Sequence, residues 1–142
     1  MELTRRDALL IGAGAAAAAA LPLPALAAEQ AAMDEAIAAF TGGAAVTEGG
    51  VEIGAPEIAE NGNTVPIEVG AAGAASILIL ADGNPNPGVA TFNFGKLATA
   101  STASTRIRLA KTQNIVAVAK LEDGSFVKGS RTVKVTIGGC GG

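Results

Sequence analysis

Hydrophobic and polar residues follow two different periods along the chain, and the change of period falls at a Gly-Gly pair. In the first part, Met33, Ile37 and Phe40 lie four and three positions apart, which is the spacing of one helical stripe. Gly42-Gly43 follows directly, and glycine is the residue most often found just past a helix end. The pattern therefore predicts a short N-terminal helix over residues 29–40 that packs through one face.

After this pair the apolar runs become short, and turn residues separate them. Alternation is typical of strands with one buried face, whereas the continuous apolar run Ser76–Ala81 is typical of a strand buried on both faces. Asp123-Gly124 is the pair of a tight hairpin turn, and Pro66 marks an edge position or a bulge. The predicted strands are Val51–Ile53, Thr64–Val69, Ser76–Ala81, Val89–Phe94, Ala103–Leu109, Ile115–Leu121, Phe126–Lys128 and Thr132–Ile137.

Short strands at this spacing, without helices between them, predict an all-β fold. The expected form is an antiparallel β-sandwich with an immunoglobulin-like topology. The alternation of the last strand puts Val133, Val135 and Ile137 on its buried face, so Ile137 is expected to be the last residue anchored in the core. Residues 138–142 would then form a flexible arm. At ~3.5 Å per extended residue, Cys140 would reach about 10 Å past this anchor.

Residues 1–28 have the organisation of an export signal. Arg5 and Arg6 precede the mildly apolar run Leu9–Leu21, and Ala25-Leu26-Ala27 has the small residues that signal peptidase accepts. Paired arginines favour the twin-arginine route. A membrane-anchoring helix is the alternative, disfavoured because prolines close the run and its Ala and Gly are weakly apolar. We expect a periplasmic protein with one domain, residues 29–137, followed by the arm, and no membrane association.

Composition narrows the chemistry that the chain can perform. The 142 residues include no histidine, and the formal net charge is −3. Without an imidazole there is no Ser-His or Cys-His catalysis and no histidine metal ligand, and no run of acids has the spacing of a calcium loop. An acidic chain without Trp or Tyr is also a poor binder of nucleic acid. We therefore predict a protein that is not an enzyme and that needs no metal or cofactor.

The charges are segregated along the chain. From Glu29 to Asp82 there are nine acids and no base, whereas from Gly83 onward there are eight bases and two acids. Cross-strand ion pairs between the two halves are one explanation. A basic surface near Cys140, suited to anionic ligands or acidic partners, is the other, and the sequence leaves both open. The eight bases are Lys96, Arg106, Arg108, Lys111, Lys120, Lys128, Arg131 and Lys134.

Cys140 is the only cysteine, which excludes an internal disulfide. An odd cysteine in an exported protein suggests intermolecular pairing or a free reactive thiol. The flanking glycines offer no side chains to bury it, so we expect an exposed thiol with a pKa near ~8.5, mostly protonated at neutral pH. Such a thiol would react only where a partner activates it. Two functions follow: a covalent carrier, or a secreted structural β-sandwich that dimerises through a terminal disulfide.

Several motifs occur together in this chain: the twin-arginine leader, the N-terminal helix, the all-β domain, and Pro56–Gly62 followed by Val65-Pro66. A further motif is Gly138-Gly139-Cys140-Gly141-Gly142 at the end of the sequence. In these features the chain resembles the SoxY family of the periplasmic thiosulfate-oxidising system.

The resemblance implies a non-catalytic carrier that forms a heterodimer with a SoxZ-like subunit. It implies that a haem-containing enzyme joins thiosulfate to Cys140, that a thiosulfohydrolase releases sulfate, and that a sulfane oxidase acts on the remaining sulfur. It also assigns Gly138, Gly139, Gly141 and Gly142 to the flexible arm, where the absence of side chains would let the tail enter narrow channels of these partners.

Overall fold

The computed structural model describes residues 25–139. The predictions for residues 1–24 and for Cys140, Gly141 and Gly142 lie outside the described residues. Within them, one helix is followed by short strands. The bounds are α1 Ala25–Thr41, β1 Val46–Glu48, β2 Glu52–Gly54, β3 Ile58–Ala59, β4 Val65–Gly70, β5 Ala74–Ala81, β6 Gly88–Asn93, β7 Thr102–Ile107, β8 Gln113–Leu121 and β9 Phe126–Val135.

The strands form two sheets that share one buried core. The larger sheet has the order β1-β9-β8-β5-β6, with β3 also paired to β9, and the smaller sheet has the order β2-β4-β7. Val65 and Ile67 of β4 belong to the same buried cluster as Ile77 of β5 and Ile115 of β8. The predicted all-β sandwich is therefore confirmed, while its immunoglobulin-like topology stays a prediction.

The larger sheet is mixed, because β9 pairs parallel as well as antiparallel. It lies antiparallel to β8, but parallel to β1 through Glu48 and Lys128, and parallel to β3 through Ala59 and Val135. The prediction of a purely antiparallel sandwich is wrong at these two pairings. β1 and β3 are three and two residues long, too short to show a period in the sequence.

β5 lies inside the larger sheet and is buried on both faces. Ile77 and Ile79, both with no exposed surface, face the core between the sheets. Leu78 and Leu80 belong to a second cluster on the opposite face, which the helix covers. The prediction from the continuous apolar run is confirmed.

The N-terminal helix packs through its apolar stripe on the outer face of the larger sheet. Met33 is buried there, and the ring of Phe40 meets that of Phe126 edge-on, with the centroids 6.0 Å apart. The helix ends where Gly42 takes a φ of 65°, and the amide of Gly43 donates to the carbonyl of Ala38 at 3.2 Å. This left-handed cap confirms the predicted stop. Of the described helical residues, none forms a helix long and apolar enough to cross a membrane.

Two local predictions concern turns and edges, and both hold. Pro66 lies beyond the part of β4 that β2 covers, since β2 pairs only with residues 68–70. At Pro66, β4 therefore has a strand neighbour on one side, as expected for a proline that cannot donate. In the β8–β9 turn, Gly124 has a φ of 87°. The hydroxyl and amide of Ser125 both donate to Asp123 and lower the pKa of that carboxyl.

Candidate functional site: the exit of the C-terminal tail

β9, the strand that leads to the tail, ends at Val135, earlier than the alternation predicted. Val133 is fully buried and Val135 packs partly against the core, but Ile137 is 68% exposed. The prediction that Ile137 is the last anchored residue is wrong. β9 ends at Val135, and a bend over residues 136–137 breaks the alternation that would have turned Ile137 inward.

One side of the outgoing chain is held by the segment 57–62, which is most of the motif Pro56–Gly62. The backbone hydrogen bonds run from Lys134 N to Glu57 O at 2.9 Å, from Thr136 N to Ala59 O at 3.1 Å, and from Gly62 N to Ile137 O at 2.7 Å. The hydroxyl of Thr136 also donates to the carbonyl of Glu60 at 2.9 Å. Together these contacts fix the path of the chain up to Ile137.

The other side is held by the segment that follows β7. The amide of Gly139 donates to the carbonyl of Leu109 at 2.8 Å, and the amide of Leu109 donates to the carbonyl of Gly62 at 2.8 Å. The amide of Val135 donates to the hydroxyl of Thr112 at 2.9 Å. The tail thus lies between two segments that are themselves joined through Gly62. We call the segments 57–63, 108–112 and 134–139 together the tail exit.

Three glycines of the tail exit lie directly against backbone atoms. A Cβ would lie 2.3 Å from the Leu109 oxygen at Gly62, 2.1 Å from the Ala110 oxygen at Gly138, and 2.7 Å from the Gly62 oxygen at Gly139. None of the three has a positive φ. Glycine is therefore required at these positions by the lack of space and not by the backbone conformation.

The predicted flexible arm over residues 138–142 needs a correction at its start. Gly139 is buried and its amide is hydrogen-bonded, and Gly138 lies against the carbonyl of Ala110. The physical reason is that their missing side chains permit close packing on the domain. We call Gly138 and Gly139 the stem. The predicted roles of Cys140, Gly141 and Gly142 fall on residues outside the described part and stay predictions.

A buried pair of side-chain amides holds the segment that receives the stem. Asn84 and Gln113 are 3% and 6% exposed. Asn84 donates to the carbonyl of Arg108 at 2.8 Å and accepts from the amide of Ala110 at 2.9 Å. Gln113 donates to Asn84 at 2.9 Å and to the carbonyl of Lys111 at 3.0 Å. The two side chains therefore fix the backbone on both sides of Leu109.

Sequence reasoning missed this pair. Asn84 lies in the segment 82–88, whose Asp, Gly, Asn and Pro residues predict only an irregular loop. Gln113 begins β8, where a polar residue is unremarkable. Their contact joins two distant parts of the chain, and no local pattern signals it.

Ion pairs explain little of the segregated charge. Among the described residues there are two: Lys128 with Glu48 at 2.9 Å, across the β1–β9 pairing, and Lys111 with Glu29 at 3.0 Å. The other six bases of the C-terminal half make no ion pair within this part of the chain. Cross-strand pairing therefore accounts for only one of the eight bases.

The tail exit carries bases and acids on opposite sides. Arg108 and Lys111 belong to the segment after β7, and both are exposed. Glu57 and Glu60 are exposed on the segment before β4, with Lys134 on β9 between the two. The basic surface suggested near Cys140 therefore corresponds to one flank of the tail exit, because the other flank carries acids.

Outside the tail exit, residues 27–139 offer little chemistry. No cluster of three His, Cys, Asp or Glu side chains that could hold a metal ion occurs among the described residues. An open groove on the smaller sheet is lined by Pro56, Pro66, Glu68 and Arg106. It brings together one acid and one base, and the hydroxyl of Ser104 in the same groove donates to the Glu68 carboxylate at 3.1 Å.

Residues 37–140 match the family described as sulfur oxidation protein SoxY. The chain belongs to the SoxY family. This confirms the resemblance seen in the motifs, and the matched span includes both Pro56–Gly62 and the stem. Comparison with curated proteins gives no match.

Among solved structures, this SoxY-family chain is similar to the sulfur carrier protein SoxY from Chlorobium limicola f thiosulfatophilum. The identity is 40% and the TM-score 0.67, over 76% of this chain and 99% of that one. A superoxide reductase (neelaredoxin) from Ignicoccus hospitalis matches at 16% identity and a TM-score of 0.54, over 61% and 80% of the two chains. One from Archaeoglobus fulgidus matches at 13% and 0.50, over 59% and 86%. At such identities these two similarities show the fold alone.

Proposed function

We propose that this chain is a non-catalytic sulfur carrier that holds intermediates of thiosulfate oxidation on Cys140. The observation that carries the proposal is the SoxY family match, which extends to residue 140 and so includes the only thiol of the chain. The tail exit supports it. Cys140 follows directly after the stem, which is hydrogen-bonded to the domain through the amide of Gly139.

The carrier chemistry consists of two steps in which the substrate stays bound. In the first, the Cys140 thiolate and the terminal sulfur of thiosulfate form a sulfur–sulfur bond, and two electrons pass to a haem-containing partner. In the second, water attacks the sulfonate sulfur, which releases sulfate and two protons and leaves a persulfide on Cys140. Separate enzymes would supply the haem for the first step and the catalytic groups for the second.

The proposal includes the partners and the compartment of the family. A SoxZ-like subunit would form the heterodimer, and the haem-containing enzyme, a thiosulfohydrolase and a sulfane oxidase would bind only transiently. The leader over residues 1–28 would direct the chain to the periplasm by the twin-arginine route. The leader's paired Arg5 and Arg6 support this location.

Intact mass spectrometry tests the cargo. Protein purified from thiosulfate-grown cells is expected to carry adducts of about 112 Da for thiosulfate or about 32 Da for one sulfur, both removed by reductant. A doubled mass that reductant halves, without either adduct, would instead support the disulfide-linked dimer and contradict the carrier.

Replacement of the thiol tests the function directly. Cys140→Ser is expected to abolish sulfate formation from thiosulfate in a system reconstituted with the partner enzymes, because serine cannot form the sulfur–sulfur bond. Wild-type protein alkylated with iodoacetamide is the matched control and should lose the same activity. Both proteins should unfold at the wild-type temperature. Sulfate formation by either one would refute the proposal.

A further inference from the structure

The stem is held by contacts that a purely flexible linker would not need. The amide of Gly139 donates to the carbonyl of Leu109. The carbonyl of Ile137, the residue just before the stem, accepts from the amide of Gly62. Gly62 is buried although Asn61 and Asn63 on either side of it are exposed. A buried glycine between two exposed loop residues thus has both its amide and its carbonyl bonded within the tail exit.

The fit between Gly62 and the stem is reciprocal. A Cβ on Gly62 would come within 2.7 Å of the Gly139 nitrogen, and a Cβ on Gly139 would come within 2.7 Å of the Gly62 oxygen. Real Cβ atoms are not found at such distances, and the atoms met belong to the backbone and cannot rotate away. An alanine at either position must therefore push the two segments apart.

We propose that Gly62 is a positioning residue for the carrier tail. It seats the stem on the domain, and this contact sets how far Cys140 can reach. With the stem seated, the Cα atom of Cys140 lies one residue, ~3.8 Å, from that of Gly139. With both the stem and Ile137 released, the four extended residues from Thr136 to Cys140 give a reach of about 14 Å. Delivery of the thiol to a deep partner site would require release. Only this last consequence rests on the proposed function.

The strength of the contact sets the balance between the two states. Two backbone hydrogen bonds hold the stem and Ile137, and each contributes about 0.5–1.5 kcal/mol net. The seated state is then favoured roughly 5- to 150-fold, since 1.4 kcal/mol corresponds to a factor of ten. A contact of this size keeps the tail on the domain in the free protein, but binding of a partner can readily open it.

Amide hydrogen exchange of Gly139 provides the direct test. In wild-type protein, exchange followed by NMR is expected to be roughly 5- to 150-fold slower than in an unstructured peptide of the same sequence. Gly62→Ala should remove this protection. Gly95→Ala is the matched control, because Gly95 has no positive φ and no atom within 4 Å of an added Cβ. Exchange at the peptide rate in wild-type protein would overturn the proposal.

A nitroxide on Cys140 gives a second readout, since the chain needs no other cysteine removed. The label is expected to move faster in Gly62→Ala and in Gly139→Ala than in wild-type protein or Gly95→Ala. Gly139→Ala keeps the test valid if Gly62→Ala does not fold, because it changes only the stem. Gly141→Ala, which adds the same methyl on the other side of the label, controls for stiffening of the tail. Equal label motion in wild-type protein and Gly139→Ala would refute the role of the contact.

These measurements test the seated stem separately from the carrier function. A protected Gly139 amide on protein that never acquires a thiosulfate adduct would refute the carrier function and leave the seated stem in place. Adducts on a tail whose Gly139 amide exchanges at the peptide rate would refute the seated stem alone.

Discussion

Asn84 offers the sharpest test of how the domain supports its tail. Replacing it with alanine removes three hydrogen bonds at once, to Arg108, Ala110 and Gln113. Gln113 keeps its bond to the carbonyl of Lys111, so two backbone groups lose a side-chain partner: the Arg108 carbonyl and the Ala110 amide. Asn84→Ala therefore leaves two polar groups unpaired in the wall on which the stem lies.

The magnitude follows from the cost of leaving buried polar groups without partners. At about 1–3 kcal/mol for each group, and with both only partly buried, the free energy of unfolding should fall by about 2–5 kcal/mol. This is a large part of the roughly 5–15 kcal/mol that stabilises a typical domain. The melting temperature should drop by roughly 8–20 °C.

Urea unfolding followed by circular dichroism measures the loss, with Asn86→Ala as the control in the same loop. Asn86 is exposed, and its side chain makes no hydrogen bond within the described part of the chain. A second readout is the exchange of the Gly139 amide, which should quicken in Asn84→Ala at urea concentrations where the domain stays folded. If the free energies of unfolding of Asn84→Ala and Asn86→Ala agree within about 0.5 kcal/mol, the role assigned to Asn84 is refuted.

Two further predictions concern the core and the leader. Leu80→Ala, at a position with no exposed surface between α1 and the larger sheet, should lower the free energy of unfolding by about 2–5 kcal/mol in urea titrations. Leu97→Ala, at a side chain 96% exposed, should stay within about 0.5 kcal/mol of wild type, and equal losses would contradict the packing described. Replacing Arg5 and Arg6 together with lysine keeps the charge but removes the arginine pair, so fractionation and immunoblotting should find uncleaved precursor in the cytoplasm. Unchanged periplasmic protein would refute the twin-arginine route.

The sequence predicts elements whose structure depends on local patterns. The apolar stripe of Met33, Ile37 and Phe40 correctly predicts the helix, and the apolar run of β5 correctly predicts a strand that is buried on both faces. The Asp123-Gly124 pair located the β8–β9 turn. In each case the determining residues are neighbours along the chain or lie one helical turn apart.

Elements decided by distant partners escaped prediction. β1 and β3 become strands only because β9 offers free backbone groups beside them. The sequence also splits β9 into two, because Gly129 and Ser130 interrupt its apolar pattern. In the structure it is one continuous strand, and a Cβ at Gly129 would lie 2.7 Å from the carbonyl oxygen of Val51.

The candidate site likewise has one part that the local sequence predicts and one part that depends on a distant partner. A single cysteine among glycines marks Cys140 as the residue of interest from the sequence alone. The stem was misread because glycine is equally suited to free motion and to tight packing. Only the partner of the stem decides between free motion and tight packing. That partner, Gly62, is far from the stem along the sequence.

The position of β9 has a mechanical consequence for any protein that pulls on the tail. The strand has β8 on one side and the short strands β1 and β3 on the other, and a bend over residues 136–137 connects it to the tail. Backbone bonds between strands lie across the strand direction. A force along the chain therefore acts on many of them in shear at once instead of opening them one by one. Bonds loaded together in shear resist a pull better than bonds opened in sequence, so the sandwich is built to withstand a pull on its C-terminal strand.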